Sequence, residues 1–149
     1  MKPYCLYREQ IIARPIDEVF QFFADAQNLE TLTPPWLNFQ ILTPLPIKMH
    51  AGAIIQYSLR LHGISVHWTT AITDWQPPFE FVDVQLRGPY LMWHHRHRFE
   101  AIGEQTRMTD EIHYALPYGW LGRLAHAVFV ARDLAAIFEF RARSVERLL

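Results

Sequence analysis

The residues from Leu91 to Phe99 read Leu-Met-Trp-His-His-Arg-His-Arg-Phe, and their alternation decides what chemistry is open to them. Successive side chains of a strand point to opposite faces, so Leu91, Trp93, His95, His97 and Phe99 share one face. His94, Arg96, Arg98 and Glu100 share the other. The charged set reads as solvent-facing, which turns two histidines inward beside a tryptophan. Gly103-Glu104 is a tight-turn pair, and a two-residue hairpin there sets Phe99 opposite Met108, His97 opposite Asp110, His95 opposite Ile112 and Trp93 opposite Tyr114. A slip of one residue would part His97 from Asp110. On the preceding strand, either Val82, Val84 and Leu86 or Phe81, Asp83 and Gln85 face inward. The second choice gathers Asp83, Gln85, His95, His97 and Asp110 into a buried polar cluster.

Such a cluster is open to four readings. It is a self-satisfied network, because buried polar groups need partners and Asp–His pairs supply each other. It orients a ligand, since apolar pockets fix orientation with a few polar groups; Tyr57, Trp68, Trp93 and the histidines would serve, with Tyr114 and Phe138 beside them. It performs acid–base catalysis, with His97 and Asp110 as the catalytic pair, because a carboxylate sets the tautomer and basicity of an imidazole. Or it holds a metal through His95, His97 and Asp110. His-x-His on a strand is common by chance and no further strong ligand is evident, so neither a metal nor a cofactor is expected.

The elements that must position these residues follow from the hydrophobic pattern. Tyr4 to Ala13 alternates as a strand. Pro15 suits the first turn of a helix whose stripe is Ile16, Val19, Phe20 and Phe23. A second short helical piece, Ala26 to Leu32, stops at Thr33-Pro34-Pro35. Phe39 to Leu42, Ala53 to Leu61, Ile64 to Trp75, Phe79 to Arg87, Leu91 to Ile102 and Thr106 to Leu116 then read as strands separated by turn residues, about seven in all. Around His62-Gly63 one face carries Ile55, Tyr57, Leu59, Leu61, Ile64, Val66, Trp68 and Ile72. The opposite face is polar, the pattern of a sheet covered on one side. From Trp120 to Leu149 the spacing predicts one helix of about 40 Å. Leu121, Leu124, Val128, Leu134, Phe138, Ala142 and Val145 form its apolar side, which lies across the sheet, and Arg123, Arg132, Asp133, Arg143 and Arg147 form the opposite, solvated face.

The chain has 149 residues, 50% hydrophobic and 19% charged, with a net charge of -1. One domain with a sizeable core is expected, and no basic surface points to nucleic acid. The lone Cys5 allows no intrachain disulfide, reads as packing, and suits a reducing cytoplasm. Met1-Lys2-Pro3-Tyr4 begins no signal peptide, and no stretch reaches membrane-spanning length. Phe20, Phe22, Phe23, Trp36, Phe129 and Phe138 read as core or cavity wall. No nucleophile elbow supports hydrolysis.

One strand, two short helices, six antiparallel strands and one long helix make an α+β arrangement that resembles the helix-grip fold of the START/polyketide-cyclase (SRPBCC) superfamily. Arg14 to Phe23 (Arg-Pro-Ile-Asp-Glu-Val-Phe-Gln-Phe-Phe) looks like the superfamily's common opening. Phe81 to Gln85, Gly88 to Tyr90, Trp93 to Phe99, Met108 to Asp110, Leu116 to Gly119 and Leu121 to His126 look like a bacterial branch of ligand-binding or cell-division-inhibitor-like proteins. Some relatives there are fused to nucleotide-sugar-epimerase-like domains; this chain has no glycine-rich dinucleotide fingerprint. The branch pattern favours Asp83 and Gln85 facing inward. The resemblance implies a curved sheet wrapped around the long helix, with a cavity between them for lipids, steroids, hormones or polyketides. The expectation is therefore a single domain, residues 1–149, monomeric or weakly dimeric, holding a small hydrophobic ligand with at least one polar group. A cyclase- or dehydratase-like enzyme is the alternative. A protein-interaction module would require the cavity to be filled by side chains.

Overall fold

The computed structural model describes residues 3–149. Met1 and Lys2, which entered the expectation of a chain without a signal peptide, lie outside the described residues. The chain forms β1 (Tyr4–Ile12), α1 (Ile16–Ala24), α2 (Asn28–Leu32), a 3-10 turn at Pro35–Leu37, β2 (Gln40–Ile41), β3 (Ile54–Leu61), β4 (Ile64–Gln76), β5 (Glu80–Arg87), β6 (Met92–Ile102), β7 (Gln105–Ala115), α3 (Gly119–Ala125) and α4 (Ala131–Leu148). All seven strands join one antiparallel sheet in the order β1-β7-β6-β5-β4-β3-β2. From β2 to β7 each strand neighbours the next in sequence, while β1 closes the far edge against β7. No helix among the described residues is long and apolar enough to cross a membrane.

Two tight turns set the register. His62 and Gly63 both take positive φ, 50° and 82°, and bring Leu61 opposite Ile64; that conformation matches the twist of the strands it joins. Gly103 at φ 60° does the same for Ile102 and Gln105. The register then places Phe99 against Met108, His97 against Asp110, His95 against Ile112 and Trp93 against Tyr114, as the alternation predicted. Irregularities in the β4–β5 ladder, at Thr69/Thr70 and Ile72/Asp74, bend the sheet where an extra residue must be accommodated.

The concave face buries two apolar clusters. Around α1 and the lower part of α4 pack Val19, Phe20, Phe23, Ile72, Phe81, Phe99, Met108 and Val145. Towards the other end pack Leu37, Phe39, Leu59, Trp68, Trp93, Ile112, Tyr114, Leu134 and Phe138. Each such side chain contributes about 1.5–3 kcal/mol on leaving water. Along β6 the inward residues pass from the second cluster at Trp93, through His95 and His97, to the first at Phe99. The histidines thus sit at the seam between two greasy surfaces.

Several expectations need correction. Pro15 caps α1 rather than opening it, its carbonyl accepting from the Val19 N–H at 3.1 Å. The long helix is not uniform, because a π-turn at His126–Val130 separates α3 from α4. A π-turn inserts one extra residue and rotates the following turns, so the apolar stripe drawn straight through both halves does not hold. Leu134, Phe138 and Val145 are buried, while Leu121, Leu124 and Val128 are exposed. Trp36 and Phe129, read as core, are exposed as well, and Cys5 faces outward from β1.

Candidate functional site

Between the sheet and the helices lies a cavity of about 180 Å³. Its walls are Ile55, Leu59, Trp68, Ile72 and Trp93 from the sheet, Phe23, Leu37 and Phe39 from the segment after β1, and Leu134 and Phe138 from α4. The polar part is concentrated: Asp83 on β5, His95 and His97 on β6, and Arg141 on α4.

Strand alternation and twist explain how these groups meet. In the Cα register Asp83 stands directly opposite His95, and Asp110 directly opposite His97. The hydrogen bonds cross this pattern diagonally, a reach open to long side chains on a shared face. His95 Nε2 bonds Asp110 Oδ1 at 2.7 Å, and His97 Nε2 bonds Asp83 Oδ2 at 2.6 Å. The expected His97–Asp110 pair is therefore a register pair but not the bonded one, with His97 Nδ1 3.5 Å from Asp110 Oδ1. The two imidazoles stack at 3.7 Å between centroids, and His97 stacks on Phe81 at 4.1 Å. Both histidines are almost wholly buried, 4% and 3% exposed.

Arg141 completes the cluster from the helix side. Its Nη2 lies 3.5 Å from His97 Nδ1 and 3.7 Å from Asp110 Oδ1. Its guanidinium rides over the rings of Phe23 and Phe138 at 5.2 and 5.8 Å, a favourable placement for a cation.

These contacts set the protonation states. Burial pushes the Asp110 carboxyl up, but the Arg141 charge and the two histidines outweigh it and hold the group well below the usual carboxylate range. Burial likewise raises Asp83, and His95, His97 and Arg141 together bring it below its ordinary value. His97 is pushed down to about 4, by burial first and by the neighbouring His95 second, against the opposing pull of Asp83 and Asp110. At neutral pH His97 is uncharged. Its bonding assigns the proton to Nε2, donated to Asp83, and leaves Nδ1 as an acceptor facing Arg141.

The profile of the family described as "Polyketide cyclase / dehydrase and lipid transport" matches residues 12–138. The chain belongs to this family. Solved structures of similar fold include a protein of Thermus thermophilus, 16% identical, TM-score 0.77, covering 97% of this chain and 95% of that one. The ZhuI aromatase/cyclase of Streptomyces sp. R1128 is 16% identical with TM-score 0.70, covering 99% and 96%. A START superfamily protein of Mycobacterium smegmatis is 13% identical with TM-score 0.67, covering 97% and 99%. At such identities the likeness is one of fold: the helix-grip architecture of the START/polyketide-cyclase superfamily. No curated protein matches the sequence at a significant level.

In this member of the polyketide cyclase/dehydrase and lipid transport family, the residues singled out from the sequence fall into two groups. Tyr57, Trp68, Asp83, Trp93, His95, His97 and Phe138 line the cavity. Gln85, Asp110 and Tyr114 do not. Asp110 is 7% exposed and stands behind the histidines as their support. Gln85 clamps the turn before β6, its Nε2 donating to the Tyr90 carbonyl at 2.7 Å and its Oε1 accepting the Tyr90 N–H at 3.1 Å. The Tyr114 hydroxyl meets His126 Nε2 at 2.7 Å, and Tyr4 stacks on that imidazole. Within the cavity the Tyr57 hydroxyl lies 3.2 Å from Thr70 Oγ1, and Trp68 Nε1 has no partner among the described residues.

Arg141 is the charged cavity-lining residue that the sequence pattern did not single out. The signal existed: it lies three residues after Phe138, seven after Leu134 and four before Val145, squarely on the buried stripe. It is the one charged residue of that stripe between Leu134 and Val145, and its side chain is only 14% exposed.

Proposed function

We propose that this chain is a ligand-binding domain whose cavity holds a small hydrophobic molecule, with one polar group of that molecule turned to the Asp83–His95–His97–Arg141 wall. The carrying observation is the contrast within the cavity: mainly aliphatic and aromatic walls with charged groups confined to one side. Pockets of this make-up take their affinity from apolar burial and their orientation from a few polar contacts. A single water needs about 10–15 Å³ of such space and fills about 30 Å³ of liquid. The cavity thus has room for several waters or a small organic molecule. The lipid-transport and cyclase members of the family and of the wider fold support the same ligand class. The space is not filled by side chains, so a filled interaction module has no support. Native mass spectrometry of freshly purified protein tests the proposal. A retained small molecule is expected; repeated absence of any bound species, together with no uptake of a hydrophobic dye, would overturn it.

A second reading, cyclase- or dehydratase-like acid–base chemistry, is favoured by one observation: neutral His97 lines the cavity beside an ionised carboxylate. A neutral imidazole can take up a proton, and one held near 4 is a weak base whose Nδ1 must first part from Arg141. Deuterium exchange into a small enolisable aryl ketone, followed by NMR, tests it. Exchange lost in His97→Phe supports catalysis; exchange at the solvent rate in the wild type removes it.

A further inference from the structure

We propose that Asp83, His95 and His97 form a binding site for a divalent first-row transition-metal ion in the cavity wall, with Asp110 as the outer carboxylate that orients its imidazoles. One ligand atom from each of the three residues lies within 4.8 Å of the others. The atoms that converge are Asp83 Oδ2, His97 Nε2 at 2.6 Å from it and His95 Nδ1 at 3.7 Å from it. Ions of this class are held at about 2.0–2.2 Å by imidazole and carboxylate, which places their donor atoms about 3 Å apart. One of the two separations must open and the other close by well under 1 Å. Two imidazoles and one carboxylate on neighbouring strands are the donor set that leaves further coordination positions free. All three residues line the cavity, so those free positions face whatever it holds.

The surrounding groups are arranged as such a site needs. A metal-bound imidazole ordinarily gives its second ring nitrogen to a carboxylate, which fixes the tautomer and strengthens the ligand. His95 Nε2 bonds Asp110 Oδ1 at 2.7 Å, which turns the Nδ1 lone pair to the site. His97 Nδ1 is 3.5 Å from the same oxygen, so its proton has a carboxylate to meet when Nε2 takes the ion. Binding moves the His97 proton from Nε2 to Nδ1 through the neighbouring carboxylates or water, with no net proton taken up or released. Arg141 Nη2 lies 3.5 Å from His97 Nδ1 and 3.7 Å from Asp110 Oδ1, so its N–H turns to the carboxylate when Nδ1 carries the proton. Two carboxylates face one guanidinium across the cluster, leaving one negative charge for a cation to answer. With a divalent ion bound the balance turns positive, and the ligand class it selects is an oxygen donor with anionic character, such as a phenolate, enolate or carboxylate, on a hydrophobic body.

The test uses the full chain, purified without a histidine tag and treated with chelator, then titrated with Co²⁺ and monitored by its visible absorption. One equivalent of Co²⁺ is expected, in a site of low coordination number. His95→Ala and His97→Ala should each weaken binding at least 100-fold, and Asp110→Asn by about 10–100-fold. His94→Ala, on the outer face, should change nothing. Absence of a stoichiometric visible spectrum, or equal binding by the His95 and His97 variants, overturns the proposal. If those variants fail to fold, X-ray absorption at the cobalt edge of the wild-type protein decides: two imidazoles in the first shell support the site, one or none refutes it. Dye uptake by the cavity is read separately, so failure of the metal site and failure of the ligand-binding reading are distinguishable.

Discussion

Replacing Arg141 with methionine keeps an unbranched side chain over Phe23 and Phe138 but removes the cation beside buried Asp110. At 3.7 Å from Asp110 Oδ1, a unit charge in an effective dielectric near 20 interacts by about 4–5 kcal/mol. Removing one partner of a buried pair costs about 3–5 kcal/mol, because the other is left charged and poorly solvated. Arg141→Met should therefore lose about 4 kcal/mol at pH 7. The readout is urea unfolding of both proteins followed by tryptophan fluorescence, where that loss lowers the midpoint by roughly 2 M. The pH dependence is the sharper part. In the variant, burial is no longer opposed by the guanidinium, so the carboxyl values rise and protonation relieves the strain. The gap between wild type and variant should narrow as pH falls from 7 towards 4. A loss under about 1 kcal/mol at pH 7, or a loss that does not change with pH, would refute the account of Arg141 as counter-ion.

Three further outcomes follow from the same geometry. His97 is held near 4 in the folded chain against about 6.5 unfolded, so the unfolded state takes up the proton first. Its contribution is complete above pH 6.5 and is lost as pH falls to 4, about 3 kcal/mol in all; His97→Phe should flatten that slope in denaturant titrations over the same range. A Cβ at Gly122 would collide with the Pro117 carbonyl oxygen, so Gly122→Ala should lower the melting temperature by several degrees, roughly 2–4 °C per kcal/mol lost, as read by calorimetry. Gln85→Ala removes both bonds to the Tyr90 backbone and should raise hydrogen exchange at the Tyr90 amide while costing about 1–3 kcal/mol; unchanged exchange there would show that the turn holds itself.

Much of this arrangement is legible in the chain because the signals are local. The period of two from Trp93 to Phe99, closed by Gly103-Glu104, determines which side chains turn inward and which residue faces which. The same logic resolves Asp83 against Val82 only with help from the family resemblance, since both alternating sets carry residues that pack well, and Val82 is itself buried. What escaped is non-local. Which carboxylate bonds which imidazole depends on how the side chains lean along the strands, and register alone does not carry that. The π-turn at His126–Val130 interrupts a stripe that reads as continuous, and no residue type announces it. Arg141 was hidden by its own charge: a cation on a buried helical position makes sense only once two carboxylates from the sheet are seen beneath it.

The central claim is a cavity that takes up a hydrophobic molecule against a polar wall, and blocking that cavity tests it most directly. Leu59 lines the space on β3, and Leu59→Trp should occupy it from the sheet side. Titration of wild type and variant with a hydrophobic fluorescent dye should give saturable one-to-one uptake by the wild type and none by the folded variant. Uptake that survives the filling, or no uptake by either protein, would contradict the account.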